Sequence, residues 1–246
     1  IAGRILGKTQ LGYSAVAVQL AMIPLDKMVS TISQVAFPAF SQLQDDPALL
    51  RSYYLKIVNV VAFAVFPICW GIFLVAESVV PLFLSAKWLP AVLPLQILSM
   101  VTAFRAIHLV NAPLEMAIGR PGTTIRNFAT ITLVLAASFY IGSTYGLEGL
   151  AYSWLVFPAV SLFTTSTTLK LIGLSLAVYF KELRHPFLGT AFMVLAVLLC
   201  QKLVLLDHGL VIHAVGSATL GVASYTLYYA LFNRKMFAEA RNLLRR

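Results

Sequence analysis

The chain has 246 residues, 60% of them hydrophobic and 11% charged, with a mean hydropathy of +0.87. A soluble domain carries roughly 45–50% apolar and about 25% charged residues, so a cytosolic enzyme, a disordered chain and a disulfide-stapled secreted module are excluded. The 18 Lys and Arg exceed the 9 Asp and Glu to give +9. In so apolar a chain that excess fits the basic cytoplasmic loops of a membrane protein; nucleic acid is not expected as a partner, because no basic stretch is interleaved with exposed aromatics on a polar background.

Seven apolar segments can be drawn in chain order, at 11–40, 54–84, 91–118, 123–143, 147–169, 187–206 and 209–232. Each reaches the length of about 20 residues that a helix needs to cross a bilayer, whereas a barrel strand needs about ten alternating residues. The expected class is therefore an all-α, polytopic helical membrane protein. The first two segments exceed one span, and Pro24, Pro38 and Pro67 offer kink points within them. Turn residues separate the others, among them Gly119-Arg120-Pro121-Gly122 and the run from Gly146 to Gly149. Between the fifth and sixth segments, 172–185 (IGLSLAVYFKELRH) mixes apolar and basic residues at helical spacing, as does the tail 233–246 (NRKMFAEARNLLRR). Both have the pattern of helices lying on an anionic phospholipid leaflet; an ordinary loop and tail is the alternative.

Charge tests this drawing. Arg51, Lys56, Arg120, Arg126, Lys170, Lys181 and Arg184 fall on one side, together with the tail residues Arg234, Lys235, Arg241, Arg245 and Arg246. Arg4, Lys8, Lys87 and Lys202 fall on the other, and Lys27 and Arg105 lie inside spans. The bias places the carboxyl terminus in the cytoplasm. The two cysteines, Cys69 and Cys200, sit in apolar runs and read as small hydrophobes. His185, His208 and His213 read as loop or interface residues, and no metal or cofactor is expected. The start at Ile1, with IAGRILG shaped like the end of an earlier span, suggests the carboxyl-terminal part of a longer protein.

Charges inside a span cost at least about 2.5–3.5 kcal/mol on insertion scales and so mark candidate functional sites. In the first span Gln19, Asp26, Ser30 and Ser33 share a face, with Lys27, Thr31 and Gln34 beside it. In the third, at about 100° per residue, Arg105, His108, Asn111 and Glu115 fall within an arc of about 120°. These stripes must line a cavity or a helix interface. Either Asp26 pairs with Arg105 and the faces merely join helices, or they line a water-filled cavity in which Lys27 and Arg105 attract an anion. Arg suits a phosphate or diphosphate through its planar fork, and Lys acts as a point charge. Gln34, His108 and Asn111 would then contact substrate, and Asp26 or Glu115 could titrate in an ion-coupled step. No HExxH, GxSxG or GxxxxGK[ST] occurs, so zincin, serine-hydrolase and P-loop readings lack their minimum parts.

Specific strings add a resemblance. LGYSAVAVQLAMIPLDKMVSTISQVAFPAFSQLQDD (11–46) resembles the opening of the second half of Wzx-type oligosaccharide flippases, polysaccharide transporters of the MOP superfamily. KWLPAVLPLQIL (87–98), the GRP turn at Gly119 and GLEGLAYSW (146–154) follow in the expected order. The resemblance implies the second six-helix bundle of such a flippase over residues 1–171, an interfacial segment at 172–186, two appended transmembrane helices at 187–232 and a basic cytoplasmic tail at 233–246. It implies a multi-pass protein of the bacterial cytoplasmic membrane that is not an enzyme. Its expected action is to flip an undecaprenyl-diphosphate-linked oligosaccharide for exopolysaccharide, lipopolysaccharide or O-antigen synthesis, with a missing amino-terminal half as the other wall. Alternatives are another MOP-type exporter, such as a lipid II flippase or a multidrug exporter, a membrane glycosyltransferase or ligase, or a non-transporting assembly subunit.

Overall fold

The computed structural model describes the backbone of residues 2–203 and 209–233, and the side chains of all of these except 2–6 and 27–35. Every regular element among the described residues is helical. α1 (Ala2–Gln42) and α2 (Pro47–Leu84) are long enough to cross a bilayer with residues to spare. A 3-10 turn (Ala86–Ala91) leads into α3 (Val92–His108), and α4 (Asn111–Ala117) continues the same span. α5 (Pro121–Ser143) follows, then α6 (Gly146–Ser153) and α7 (Val156–Leu171) as one interrupted span, α8 (Leu176–Leu203) and α9 (Leu210–Phe232). Six stretches among the described residues are long and apolar enough to cross a membrane: Pro47–Leu84, Ala86–Ala117, Pro121–Ser143, Gly146–Leu171, Leu176–Leu203 and Leu210–Phe232.

Local chemistry sets the boundaries. Gly7, at φ 76° and ψ 170°, interrupts the helical backbone near the start of α1. The Asp46 side chain caps α2 by accepting from the amides of Ala48 (3.0 Å) and Leu49 (3.1 Å), with Pro47 in the first turn where its missing N–H costs nothing. Replacing Asp46 with alanine is expected to cost about 1 kcal/mol, read as a lower unfolding midpoint of the purified protein in detergent. At the same end of the bundle, the Arg51 Nε donates to the Ile172 carbonyl, closing the end of α7.

The burial pattern is that of a membrane bundle. α5 buries Thr124 and Asn127 while exposing Ile125, Phe128, Leu133, Tyr140 and Ile141, with Ile125 and Leu133 each 70% exposed. In water this would be inverted; against hydrocarbon it is the stable arrangement, since lipid accepts apolar surface and polar groups must find partners inside. Small residues let helices approach. A β-carbon on Gly142 would run into Ser153 Oγ and the Gly149 carbonyl, and Ser138 and Ser153 exchange hydroxyl-to-carbonyl bonds of 3.1 and 2.9 Å across the same crossing of α5 and α6.

α2 lies at the centre, packed on α1, α3, α8 and α9. The main core joins Phe40 of α1, Tyr54, Val58 and Phe66 of α2, Leu114 of α4, Leu169 of α7 and Leu183 of α8. The α8–α9 pair is fastened along α2 at four levels. Asn59 Nδ2 donates to the Glu182 carbonyl (2.7 Å) and the Tyr225 hydroxyl to the Phe63 carbonyl (2.9 Å). Gln201 Nε2 donates to the Leu74 carbonyl (3.2 Å), and Ser78 Oγ meets His213 Nδ1 at 2.8 Å.

Several expectations meet the structure here. The segment at 172–186, expected to be interfacial, does not form a separate helix. After a turn at Gly173 (φ 64°), Leu176–Leu203 is one continuous helix that retains Pro186, so the amphipathic stretch forms the first turns of α8. α1 and α2 likewise run helically through Pro24, Pro38 and Pro67. His185 and His213 sit in helix interfaces, on Tyr228 and Ser78. His208 and the tail from 234 onward lie outside the described residues.

Candidate functional site

The polar residues of the α3–α4 span divide into two groups. His108, Asn111 and Glu115, spaced by three and four, point from one face toward α5 and α7. Asn111 joins three elements. Its Oδ1 accepts from the Tyr54 hydroxyl of α2 at 2.7 Å, and its Nδ2 donates to Thr165 Oγ1 of α7 at 2.9 Å while lying 3.2 Å from His108 Nδ1. His108 Nδ1 is also 3.4 Å from Thr165 Oγ1. One turn on, Glu115 Oε2 accepts from Thr124 Oγ1 (2.6 Å) and Oε1 from Asn127 Nδ2 (2.8 Å), both on α5, and Oε1 accepts from the Thr168 hydroxyl of α7 as well. Thr167 Oγ1 donates to Asn127 Oδ1 at 3.1 Å.

This network is enclosed. Glu115 is 1% exposed, Asn111 3% and Tyr54 fully buried. A void of about 20 Å³ lies beside it, lined by His108, Asn111, Glu115, Thr124 and Asn127 among others. That is room for about one water or a bare cation. In all three side-chain hydrogen bonds the Glu115 carboxyl group accepts, twice from threonine hydroxyls and once from the Asn127 amide. His108 additionally borders an apolar cleft of about 230 Å³ between α3, α7 and α8, lined by Phe104, Phe187 and Tyr179.

Arg105 forms the second group. Half-buried, it directs Nη1 to Met22 Sδ at 3.2 Å, and its guanidinium carbon lies 5.5 Å from the Trp154 ring centre and 5.9 Å from that of Phe157. Two aromatic faces against a partly desolvated guanidinium hold it by cation–π attraction. Asp26 is exposed on α1 one turn beyond Met22, and its charge reaches Arg105. The direct contacts of Arg105 are nevertheless the thioether and the rings, and no Asp26–Arg105 hydrogen bond or close ion pair forms among the described residues. Phe157 connects the two groups, since the His108 ring meets it edge-on at 5.9 Å. The side chains of Lys27 and Gln34 lie outside the described residues.

Comparison with known proteins now bears on this arrangement. Residues 1–93 match the model of a family described as a polysaccharide biosynthesis protein. A membrane protein of the cps region in Klebsiella pneumoniae is 28% identical over the whole of this chain and 51% of its own length. The teichuronic acid biosynthesis protein TuaB of Bacillus subtilis is 28% identical over 78% of this chain and 40% of its own. The lipopolysaccharide biosynthesis protein WzxC of Escherichia coli is 28% identical over 76% of this chain and 39% of its own. This chain is similar to proteins named for polysaccharide, teichuronic acid and lipopolysaccharide biosynthesis.

Among solved structures, the lipid II flippase MurJ in an inward closed conformation superposes with a TM-score of 0.76 over 94% of this chain and 48% of that one, at 15% identity. That likeness shows the fold, a bundle of long apolar helices, and the chain is a multi-pass membrane protein. It spans about half the length of the relatives it matches, or less.

Of the site residues expected from sequence, the structure brings His108, Asn111 and Glu115 into one network and sets Arg105 on the adjoining face with Asp26 nearby. Sequence reasoning missed the partners Tyr54, Thr124, Asn127, Thr165 and Thr168. It also passed over Glu77, an exposed carboxylate within the α2 span, although an acidic residue in an apolar run is itself a signal.

Proposed function

We propose that the chain is one bundle of an alternating-access transporter that moves an undecaprenyl-diphosphate-linked oligosaccharide across the bacterial cytoplasmic membrane, not an enzyme. The observation that carries this reading is Arg105, a cation held in mid-span by aromatic faces with no carboxylate among the described residues locked onto it. A guanidinium left this way has donors to offer a diphosphate. The relatives named for teichuronic acid and lipopolysaccharide biosynthesis supply the cargo class.

In this reading Arg105 and Lys27 face a cavity whose other wall is a preceding bundle, with Gln34, His108 and Asn111 near the substrate path. The end bearing Arg51, Arg120 and Lys170 faces the cytoplasm by the positive-inside rule, and the carboxyl-terminal tail rests on anionic phospholipid there. Rocking of the two bundles about the cationic site moves the head group while the lipid tail stays in hydrocarbon. Glu115 is the coupling group. Binding a proton or cation at its carboxylate would redirect the donors on α5 and α7, and so bias how α4 packs against them. Asp26, exposed beside Arg105, is the second candidate.

The test is complementation of a strain lacking its polysaccharide flippase, using the full-length protein. Lys27→Ala and Arg105→Ala are expected to lower surface polysaccharide about tenfold or more, the equivalent of losing one charge-assisted contact, with protein levels maintained. Normal export by an Arg105→Leu, Asp26→Leu double variant would show that the two residues serve packing alone, and would overturn the cationic site.

A further inference from the structure

At the end of the bundle opposite Arg51, Arg120 and Lys170, a cavity of about 700 Å³ opens between the start of α1, the end of α2, the first turn of α3 and the α5–α6 turn. Its polar lining consists of Gln10 and Tyr13 from α1, Glu77 from α2, Gln96 from α3, Tyr145 from the α5–α6 turn and Glu148 from the first turn of α6. No lysine or arginine is among its lining residues. No hydrogen bond or ion pair within the described residues engages the carboxylate of Glu77 or Glu148, and both residues are exposed. Tyr145 is 77% exposed, and Tyr13 is braced edge-on by Trp88 at 5.6 Å.

The size falls within the range of roughly 300–1,000 Å³ typical of small-ligand sites. Two carboxylates in a lining that holds no lysine or arginine disfavour a phosphate. Two carboxylates offer acceptors and two carboxamides offer both donors and acceptors, and tyrosine rings offer flat apolar faces with a polar tip. That combination matches a pyranose, whose ring has C–H faces and a rim of hydroxyls. We propose that this cavity is a glycan subsite that takes neutral or amine-bearing sugar units and excludes the diphosphate. The subsite rests on the transport reading above and gives it a direction: sugar toward the carboxylate-lined end, diphosphate at Arg105 deeper in the membrane.

The experiment uses the full-length protein in nanodiscs and two probes. One is the lipid-linked oligosaccharide extracted from a strain lacking the flippase, the other undecaprenyl diphosphate without sugar. Wild type is expected to bind the sugar-bearing lipid about tenfold more tightly, as one to two net hydrogen bonds allow. Tyr145→Ala with Glu148→Gln, and separately Glu77→Gln with Gln96→Ala, should remove that preference and leave binding of the bare lipid unchanged. Arg105→Ala should weaken both lipids. A sugar preference that persists in both pocket variants, or an equal loss for the two lipids, overturns the subsite while leaving the transport reading intact. Failure of wild type to bind either lipid overturns the transport reading and the subsite with it.

Discussion

Replacing Glu115 with alanine is expected to destabilise the bundle by about 3 kcal/mol or more, whereas Glu115→Gln should fold. The carboxylate is the common acceptor for α5 and α7, and it is 1% exposed. Removing it leaves buried donors without partners, each costing about 1–3 kcal/mol. The two threonines have an escape, because a helical hydroxyl can turn to a carbonyl in the preceding turn, as Thr168 already does toward the Thr164 carbonyl at 3.3 Å. The Asn127 amide, on α5 and reaching across to α4, has no such local acceptor, so most of the cost falls there. Glutamine keeps one carbonyl oxygen for Asn127 and Thr168 and turns an amide toward Thr124, whose hydroxyl can accept instead of donate. The alanine effect would be read from equilibrium unfolding in mixed detergent micelles. Export by the glutamine variant separates the two roles. A folded Glu115→Gln protein that exports normally at every pH and cation concentration makes Glu115 a clamp only; one that folds and does not export, or loses its ion dependence, makes it the coupling group.

How much of this was legible in the sequence depends on the kind of residue. Apolar runs bounded by glycine and proline located the spans at 123–143, 147–169 and 209–232 to within a few residues. By contrast, α2 and α8 begin well before the runs drawn at 54 and 187, because their first turns are amphipathic and carry charge. Glu115, Asn111 and His108 were legible as one face because charges and carboxamides are expensive in hydrocarbon. Their partners were not. Ser and Thr satisfy themselves against their own helix, as Thr164 does on Val160 and Ser161, so a hydroxyl in an apolar run carries no signal about whether it also reaches a neighbour. Tyr54 was hidden for a related reason, its ring fitting the core while only its hydroxyl serves Asn111. The regular helical count also grouped Arg105 with the others, but the helix is interrupted at Leu109 and Val110, between α3 and α4. Arg105 instead meets α1 and the aromatic pair Trp154 and Phe157.

Tyr225→Phe is expected to cost up to about 3 kcal/mol in the native background and close to nothing in a Pro67→Ala background. Proline at 67 has no N–H, so the carbonyl four residues earlier, that of Phe63, loses its helical donor. In hydrocarbon a bare carbonyl is costly, since no water can reach it. The Tyr225 hydroxyl, from α9, donates to that same carbonyl at 2.9 Å, which explains how α2 stays helical through Pro67 in the middle of its span. The appended α8–α9 pair thus supplies a backbone donor that the central helix lacks. Alanine at 67 would restore an amide to bond Phe63, after which the tyrosine hydroxyl becomes dispensable. The double-mutant cycle in mixed micelles should therefore show a coupling of about 1 kcal/mol or more between Pro67 and Tyr225. Additive effects of the two substitutions would mean that the hydroxyl is not what satisfies the kinked segment, and that α8 and α9 hold α2 through Asn59, Gln201 and Ser78 alone.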